Sequence, residues 1–349
     1  MELKIAGRLI GDRQPSFIIA ELSANHNNDI DRAMKIIKAA ADSGADAVKL
    51  QTYTPDTLTF DSNEVAFRVD GTIWAGKNLY QLYSQAHLPW DWHKPLLDYA
   101  TSLGLIAFST PFDNTAIDLL ESLNVPAYKI ASSELVDIPL IRKVAEQGKP
   151  MIISTGMGTL TEIEEAVTAA RGSGCADIIL LKCTAAYPAP IEEANLLTIP
   201  HMAALFNVIV GLSDHTPGSA APIAATVLGS RVIEKHITLS RADGGPDSAF
   251  SMEPKEFSAM VRDVRAAESA LGHINYGPTA KEVRSRDFRR SLFVVKDIKA
   301  GERYTPENIR SIRPAVGLHT RYFEQVLGAR AKTDIRAGTP LSWNLISRD

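Results

Sequence analysis

Short apolar runs of strand length recur along the first three quarters of the chain and alternate with segments of helical spacing. The runs lie at residues 17–20, 47–50, 106–108, 127–130, 151–153, 178–181, 208–212 and 232–233. The main helical segments lie at residues 29–43, 114–123, 140–147, 161–171 and 217–228. Alternating strands and helices favour a parallel sheet, and eight strand units favour a closed (β/α)8 barrel.

An open, doubly wound sheet is the structural alternative. It would need a glycine-rich dinucleotide turn after the first strand, and residues 21–27 do not form one. Asp29 and Asn114 precede apolar-periodic segments and are predicted as helix N-caps. The barrel is therefore the preferred fold.

The composition limits the class of protein. The 349 residues are 45% hydrophobic and 22% charged, as in an ordinary soluble protein. The net charge of −4 gives no indication of a nucleic-acid partner, which would need a basic face. We find no signal peptide and no run of the ~20 apolar residues that a membrane span requires. The only cysteines, Cys175 and Cys183, are too few for a disulfide framework, so we expect a reducing cytoplasm.

Lysines lie in or directly after the apolar runs. Lys49 and Lys129 are each flanked by apolar residues, and Lys182 follows a third run. In a barrel enzyme the catalytic groups sit at the carboxyl ends of the strands. Because a buried ammonium is costly without an anion, we interpret these lysines as binding a phosphate or a carboxylate. Buried structural ion pairs are the alternative.

The last two strands each end in a histidine. If these strands are adjacent and parallel, His215 and His236 come to neighbouring positions despite their separation in sequence. Two imidazoles ringed by Asp214, Glu234 and Lys235 are suited to a divalent metal ion. Two unrelated polar residues at strand ends are the alternative reading.

A long insertion separates the second and third strands. Residues 52–105 exceed the length of a single helical crossover, and long ordered loops are often lids or binding loops. Trp74 and Lys77 are candidate substrate contacts there. The aromatic residues of the insertion could equally pack the loop onto the barrel.

The composition and the pattern of the sequence change after the last helix of the barrel. The glycine and proline content of residues 273–286 indicates a linker between a barrel domain of residues 1–272 and a small domain of residues 287–349. The small domain contains two matching phrases, which begin at Asp297 and Asp334. Its size is near the lower limit for independent folding, so we expect it to be stabilised by packing against the barrel or a second subunit.

The chain resembles the sialic acid synthase family, whose members condense phosphoenolpyruvate with an N-acylated amino sugar. The matching phrases are Ile18-Ile19-Ala20-Glu21, Asn25-His26, Ala47-Val48-Lys49-Leu50-Gln51-Thr52, Ser109-Thr110-Pro111-Phe112, Lys129-Ile130-Ala131-Ser132-Ser133-Glu134, Ser154-Thr155-Gly156-Met157, Cys183-Thr184, Tyr187-Pro188, Gly211-Leu212-Ser213-Asp214-His215 and Glu234-Lys235-His236. The C-terminal segment is similar to the antifreeze-like (SAF) domain of these enzymes. The resemblance covers nearly the whole chain.

Within the family, the chain is most similar to the pseudaminic acid synthases. The phrases that carry this likeness are Gly71-Thr72-Ile73-Trp74-Ala75-Gly76-Lys77-Asn78-Leu79-Tyr80 and Leu88-Pro89-Trp90-Asp91-Trp92-His93. The resemblance implies 2,4-diacetamido-2,4,6-trideoxy-L-altrose as the acceptor sugar, with pseudaminic acid and phosphate as products. A neuraminate or legionaminate synthase acting on an N-acetylmannosamine-type sugar is the enzymatic alternative, and a non-catalytic carbohydrate-binding protein is the alternative of another class.

The resemblance also implies roles for individual residues. The residues implied for phosphoenolpyruvate are Lys49, Thr110, Lys129, Ser132, Ser154 and Ser213, and those for the sugar are Gln51, Tyr187, Asp247 and Arg313. His215 and His236 would hold Mn²⁺, or Mg²⁺ or Co²⁺, while Glu134, Asp214 and Glu21 are candidates for proton transfer. Arg313 in the small domain is expected to reach a partner's active site in a domain-swapped homodimer. Ala185 stands where the family often has Asn or Ser, so one polar contact to the phosphate-bearing substrate is not expected.

Overall fold

A computed structural model describes residues 1–69, 71 and 73–347. Thr72 of the predicted lid and the last two residues of the predicted small domain therefore lie outside the described residues. The chain divides into two compact units, Met1–Gly272 and His273–Asp349. Across the described ranges, none of the helices combines the length and the apolar character that crossing a membrane requires.

The first unit is built on a closed ring of parallel strands. An antiparallel hairpin of β1 (Glu2–Ile5) and β2 (Arg8–Gly11) precedes the ring. The strands of the ring are β3 (Phe17–Glu21), β4 (Ala47–Thr52), β5 (Ile106–Pro111), β6 (Tyr128–Ile130), β7 (Met151–Ser154), β8 (Ile178–Cys183), β9 (Ile209–Asp214) and β10 (Val232–His236). Each strand pairs with the next, and β10 pairs with β3, which closes the barrel. The predicted (β/α)8 barrel is confirmed.

Helices alternate with these strands. They are α1 (Ile30–Asp42), α2 (Pro55–Leu58), α3 (Leu79–Ala86), α4 (Trp90–Ser102), α5 (Asn114–Ser122), α6 (Ile138–Ala145), α7 (Leu160–Gly172), α8 (Thr198–Phe206), α9 (Ala220–Val227) and α10 (Pro254–Leu271). Asp29 caps α1, as predicted. The cap of α5 is Asp113 and not Asn114, because the Asp113 carboxylate accepts hydrogen bonds from backbone N–H groups of the first turn. Asn114 is instead the first helical residue.

The described residues of the long insertion form regular elements. The insertion contributes α2 and α3, which pack against each other, before the crossover helix α4 packs against α1. Asn78 and Gln81 form a capping box that fixes the start of α3. The apolar side chains of the barrel strands and of the surrounding helices form one continuous core.

The second unit has its own apolar core, which includes Leu292, Tyr304 and Ile309. Its elements are β11 (Ser291–Val294), β12 (Ile309–Ile312), α11 (Phe323–Val326), β13 (Arg330–Ala331) and β14 (Ile346–Ser347). The two matching phrases of the sequence meet here, because Ile298 and Ile335 exchange backbone hydrogen bonds in an antiparallel bridge.

Candidate active site

A cavity of about 410 Å³ lies at the carboxyl ends of the barrel strands. Its size is typical of a site for a small molecule. The polar lining comes from strand ends and from the loops that follow them, at Ser23, Lys49, Gln51, Lys129, Ser132, Ser133, Glu134, Ser154, Ser213, His215, Glu234, His236 and Asp247. Residues far apart in sequence converge because parallel barrel strands deliver their carboxyl ends to one mouth.

Lys49 lies on the floor of this cavity between two carboxylates. Its Nζ is 2.9 Å from Glu21 Oε2, without hydrogen-bond alignment, and 3.2 Å from Glu234 Oε1. The same Nζ donates a hydrogen bond to Thr110 Oγ1 at 3.3 Å. Burial acts to lower the pKa of Lys49, but the two carboxylates outweigh burial and the pKa is raised. The ammonium is therefore charged throughout the neutral pH range.

Lys129 is the second cation of the floor. Its Nζ donates to Ser154 Oγ at 2.6 Å and lies 3.8 Å from Glu234 Oε1. Burial lowers the pKa of Lys129 to about 8, since this one carboxylate is more distant than the partners of Lys49. The floor thus holds two ammonium groups that share Glu234.

The two carboxylates of the floor titrate differently. Burial raises the pKa of Glu21 to about 7. For Glu234 burial acts in the same direction, but Lys129 and Lys49 outweigh it and the pKa is lowered. Glu234 is ionised at neutral pH, and Glu21 is protonated below its pKa of about 7, so below that pH two cations face one anion.

Glu134 faces the cavity from the turn after β6. Its Oε2 is buried and has no hydrogen-bond partner among the described residues. Burial raises the pKa of Glu134 to about 7. A carboxyl group with a pKa near neutrality can both accept and donate a proton during a reaction.

The two histidines form a pair on the wall above the floor. The ring centroids of His215 and His236 are 5.2 Å apart. Nδ1 of His215 lies 3.0 Å from the carbonyl oxygen of Thr184, which can only accept, so Nδ1 carries a proton and Nε2 has its lone pair when the ring is neutral. Burial lowers the pKa of His236 well below its usual range, and its buried Nδ1 has no partner within the described ranges. Burial acts to lower the pKa of His215 as well, but Cys183 and the Thr184 carbonyl outweigh burial and the pKa is raised. His236 is therefore the neutral ring of the pair, and His215 would have to lose a proton before its Nε2 could bind a metal.

This donor set fits a loosely held divalent ion. Among the described residues, no group of three or more His, Cys, Asp or Glu side chains is placed to enclose a cation. Catalytic zinc ions usually have three protein ligands and one open position, so two imidazoles would leave more of the coordination to water and substrate than is usual. A closed structural zinc site would need four protein ligands.

Polar side chains lead from the histidines to the outer end of the cavity. Ser23 donates to the Asp247 carboxylate, and Gln51 Nε2 donates to Ser23 Oγ at 3.2 Å. Burial raises the pKa of Asp247 despite the hydrogen bond from Ser23. The Tyr187 ring lies 4.4 Å from that of His215, between centroids. These groups are suited to hydroxyl and amide groups of a ligand.

Most of the predicted site residues share this cavity. Lys49, Lys129, Ser132, Ser154, Ser213, Gln51, Tyr187, Asp247, Glu134, His215 and His236 all line it. Of the described barrel residues assigned to the site, Glu21, Thr110 and Asp214 are the three outside the lining. Glu21 and Thr110 lie beneath it and contact Lys49.

Asp214 occupies a different place from the one that proton transfer requires. Its carboxylate accepts from Lys235 Nζ, and the same Nζ donates to the carbonyl oxygen of Thr216 at 2.5 Å. Ser213 and His215 line the cavity, so alternation along the chain turns Asp214 to the opposite face of the barrel wall. The geometry favours Glu134 over Asp214 for proton transfer.

Arg313 belongs to the second unit, where it follows β12 and is exposed. Its assignment to a sugar site therefore stays a prediction. Arg310, on β12 itself, is likewise exposed.

Sequence reasoning missed two parts of the cavity. Glu234 was seen only as a neighbour of the histidines, although its position two residues before His236 places both on one face of β10. The apolar lining was also missed, and it includes Tyr53, Leu58, Val69, Trp74, Leu79, Leu82, Tyr83, Ala86, Phe112 and Phe250. Only Trp74 of this set was a candidate. The helical spacing of Leu79, Leu82 and Tyr83 was the available signal.

Comparisons with known proteins agree with this architecture. Residues 36–276 match the NeuB family and residues 289–347 match the SAF domain. The chain is 48% identical to the pseudaminic acid synthase of Helicobacter pylori, over 96% of this chain and 99% of that protein. It is 36% identical to the N,N'-diacetyllegionaminic acid synthase of Legionella pneumophila, over 96% of each.

A solved structure shares the whole fold. The spore coat polysaccharide biosynthesis protein SpsE of Bacillus subtilis is 35% identical, with a TM-score of 0.68 and full coverage of both chains. The barrel, the cavity at its strand ends and these matches lead to one conclusion: the chain belongs to the NeuB family of sialic acid-type synthases and ends in a SAF domain.

Proposed function

We propose that this chain is a pseudaminic acid synthase, which condenses phosphoenolpyruvate with 2,4-diacetamido-2,4,6-trideoxy-L-altrose and water to give pseudaminic acid and phosphate. The observation that carries the proposal is the pair of buried lysines, Lys49 and Lys129, in one cavity with the imidazoles of His215 and His236. The higher identity to a pseudaminic acid synthase (48%) than to a legionaminic acid synthase (36%) supports this choice of sugar.

Phosphoenolpyruvate would lie on the floor, where its negative charges meet fixed positive ones. Lys49 and Lys129 supply the charge, and the hydroxyl groups of Ser132, Ser154 and Ser213 supply donors at the edges. Such preorganised cations hold a highly charged anion without reorganisation of solvent. Glu234 contacts both ammonium groups, and its negative charge offsets their mutual repulsion. The two lysines are thereby held in place before the anion binds.

The divalent ion of the proposed reaction would be held by His215 and His236. When bound, such an ion polarises the aldehyde oxygen of the sugar as a Lewis acid. Mn²⁺ suits a site of imidazole nitrogens completed by oxygen ligands, and Mg²⁺ and Co²⁺ are the alternatives.

In the reaction, C3 of phosphoenolpyruvate forms a bond to the sugar aldehyde carbon, and the aldehyde oxygen takes up a proton. Water adds at C2 and loses a proton, and the resulting tetrahedral intermediate expels inorganic phosphate. Glu134 is suited to these proton transfers, because it borders the cavity, has an unpartnered Oε2 and has a pKa of about 7. Glu21 acts from below by holding Lys49.

We also propose that two chains form a domain-swapped homodimer in which Arg313 of one chain contacts the sugar in the other. The exposure of the segment before the small domain supports this, since Ile274 and Tyr276 are 89% and 100% exposed in the single chain. Apolar side chains so exposed are typical of surfaces that a partner covers. Both cysteines are free, which is compatible with a reducing cytoplasm.

The alternatives differ in the sugar or in the presence of catalysis. A neuraminate or legionaminate synthase would release phosphate with an N-acetylmannosamine-type sugar. A non-catalytic carbohydrate-binding protein would release none, but a scaffold has no need of two buried lysines that line a cavity together with Glu134, whose Oε2 has no hydrogen-bond partner among the described residues.

The test is phosphate release by the purified full chain with phosphoenolpyruvate, Mn²⁺ and each sugar in turn. We expect turnover with 2,4-diacetamido-2,4,6-trideoxy-L-altrose to exceed that with N-acetylmannosamine or its diacetamido analogue. Turnover with N-acetylmannosamine alone would assign the chain to the neuraminate branch. Phosphate release with none of the sugars would remove the enzymatic proposal.

A further inference from the structure

One side of the cavity is apolar, and the insertion between β4 and β5 supplies most of it. Leu79, Leu82, Tyr83 and Ala86 line the cavity from α3. Their spacing of three and four residues places them on one face of that helix. Tyr80, Gln81, Ser84 and Gln85 do not share this face, and Tyr80 donates instead to Asp56 on α2. Helix α3 therefore lays its apolar face over the cavity.

This apolar face is buried without belonging to the barrel core. Leu82 and Val69 are both 8% exposed, yet neither is part of the continuous core of the first unit. Leu58 of α2 and Leu79 are half-buried and face the same space. These side chains are not packed into the barrel core and border the cavity. A ligand filling it would complete their burial.

The polar and apolar sides divide the cavity between two kinds of ligand group. The floor and the histidine wall offer ammonium, hydroxyl and imidazole groups. Among the described residues, the α3 side offers aliphatic and aromatic carbon, with the hydroxyl of Tyr83 as the polar group contributed by the helix. A sugar hydroxymethyl group placed there would lose its hydrogen bonds to water without regaining them, whereas a methyl group would lose nothing.

We propose that the apolar face of α3, with Leu58 and Val69, is the specificity wall that selects acceptor sugars with methyl groups in place of hydroxymethyl groups. This inference rests on the proposed function and names the feature of the sugar that the chain recognises. The C6 methyl group of a 6-deoxy sugar and the methyl of an acetamido group are its ligands. Leu82, the most buried aliphatic side chain of α3, contributes most to the selection.

The experiment compares two sugars that differ only at C6, the 6-deoxy diacetamido sugar and its 6-hydroxy analogue. For the wild-type chain we expect kcat/KM to favour the 6-deoxy sugar by about tenfold or more, the range in which an apolar pocket discriminates a small polar change. Equal kcat/KM for the two sugars in the wild type would overturn the inference whatever the variants do. No phosphate release with either sugar would instead remove the proposed function.

Leu82→Asn and Leu82→Met form the matched pair. Asn has nearly the shape of Leu but offers an amide, so the preference should fall several-fold, through a lower KM for the 6-hydroxy sugar and a higher KM for the 6-deoxy sugar. Met keeps the wall apolar and should preserve the preference. Val65→Asn, at a side chain of the same insertion that is 74% exposed, is the control for a general effect of the substitution.

A second position keeps the test decisive. Leu79→Asn changes a half-buried member of the wall, and thermal unfolding followed by circular dichroism shows which variants are folded. A folded Leu82→Asn or Leu79→Asn variant that retains the wild-type preference would contradict the inference. If neither variant folds, the wild-type comparison of the two sugars decides.

Discussion

The inward and outward faces of β9 and β10 carry equally polar residues and use them in opposite ways. Ser213, His215, Glu234 and His236 face the cavity, where buried atoms of Glu234 and His236 lack partners in the described part of the chain. On the outward face, Asp214 and Lys235 are opposite each other in register and satisfy one another.

The contrast between the two faces shows which property distinguishes reactive from structural polar groups. Both sets are buried, so burial alone does not distinguish them. The outward pair is fully matched in charge and also binds both backbone polar groups of Thr216, which fixes the loop that carries His215. The inward groups keep atoms available for a ligand. Unsatisfied atoms facing a cavity, and not buried charge as such, mark the site.

The largest expected effect comes from removing an inward imidazole. His236→Ala should lower kcat/KM by about a thousandfold or more, because the chain would lose one of its two proposed metal ligands. Phosphate release at saturating Mn²⁺, together with Mn²⁺ affinity from isothermal titration, measures it. His201→Ala, at an exposed histidine on α8, is the matched control and should leave both values unchanged. Full activity in His236→Ala would contradict the reactive role assigned to the inward face.

A smaller effect on turnover, but a large one on stability, is expected on the outward face. Asp214→Ala leaves the Lys235 ammonium buried and unpaired, which should lower the free energy of unfolding by about 3–5 kcal/mol. Urea unfolding measures this loss, and turnover per folded molecule should fall far less than in His236→Ala.

Two further variants test whether the unpaired charge causes this loss of stability. Asp214→Leu combined with Lys235→Met removes both charges and should recover most of the stability. Asp98→Ala, which removes an exposed ion pair with Lys94, should leave the unfolding midpoint nearly unchanged. An Asp214→Ala variant that is as stable as wild type but inactive would instead support a role of Asp214 in proton transfer.

The smallest effect is a pH dependence of the inward lysine. Burial lowers the pKa of Lys129 to about 8, so its ammonium is charged below that pH and neutral above it. We expect kcat/KM for phosphoenolpyruvate, which reports the free enzyme, to fall about tenfold per pH unit above pH 8. Lys129→Gln should lower kcat/KM and remove this limb. A limb that persists in Lys129→Gln would assign the titration to another group.

The sequence was sufficient for the barrel and for most of its mouth, for a physical reason. Strand-length apolar runs that contain Lys49 or Lys129, or that lead into His215, report both the strand and the position at which it presents polar groups. The sequence analysis made too little use of the alternation of side chains between the two faces of a strand. Applied to Ser213–Asp214–His215, a period of two separates Asp214 from its neighbours without coordinates.

Other features depend on tertiary contacts that no local pattern contains. The apolar face of α3 is visible as helical spacing, but whether Leu82 packs on the barrel core or borders the cavity depends on where the insertion folds back. The pKa of Glu134 is raised by burial that residues distant in sequence create. The cap of α5 was displaced by one residue because Asp113 and Asn114 are both good N-caps and only the backbone conformation of Asp113 chooses between them.

The central claim is that the floor of Lys49 and Lys129 was built for phosphoenolpyruvate. A crystal structure of the full chain with phosphoenolpyruvate bound, in the absence of sugar, tests it most directly. We predict that oxygen atoms of the ligand lie within hydrogen-bond distance of Nζ of both lysines, with C3 facing the side of His215 and His236. Phosphoenolpyruvate bound elsewhere, with Lys49 and Lys129 still contacting only groups of the protein, would contradict this claim.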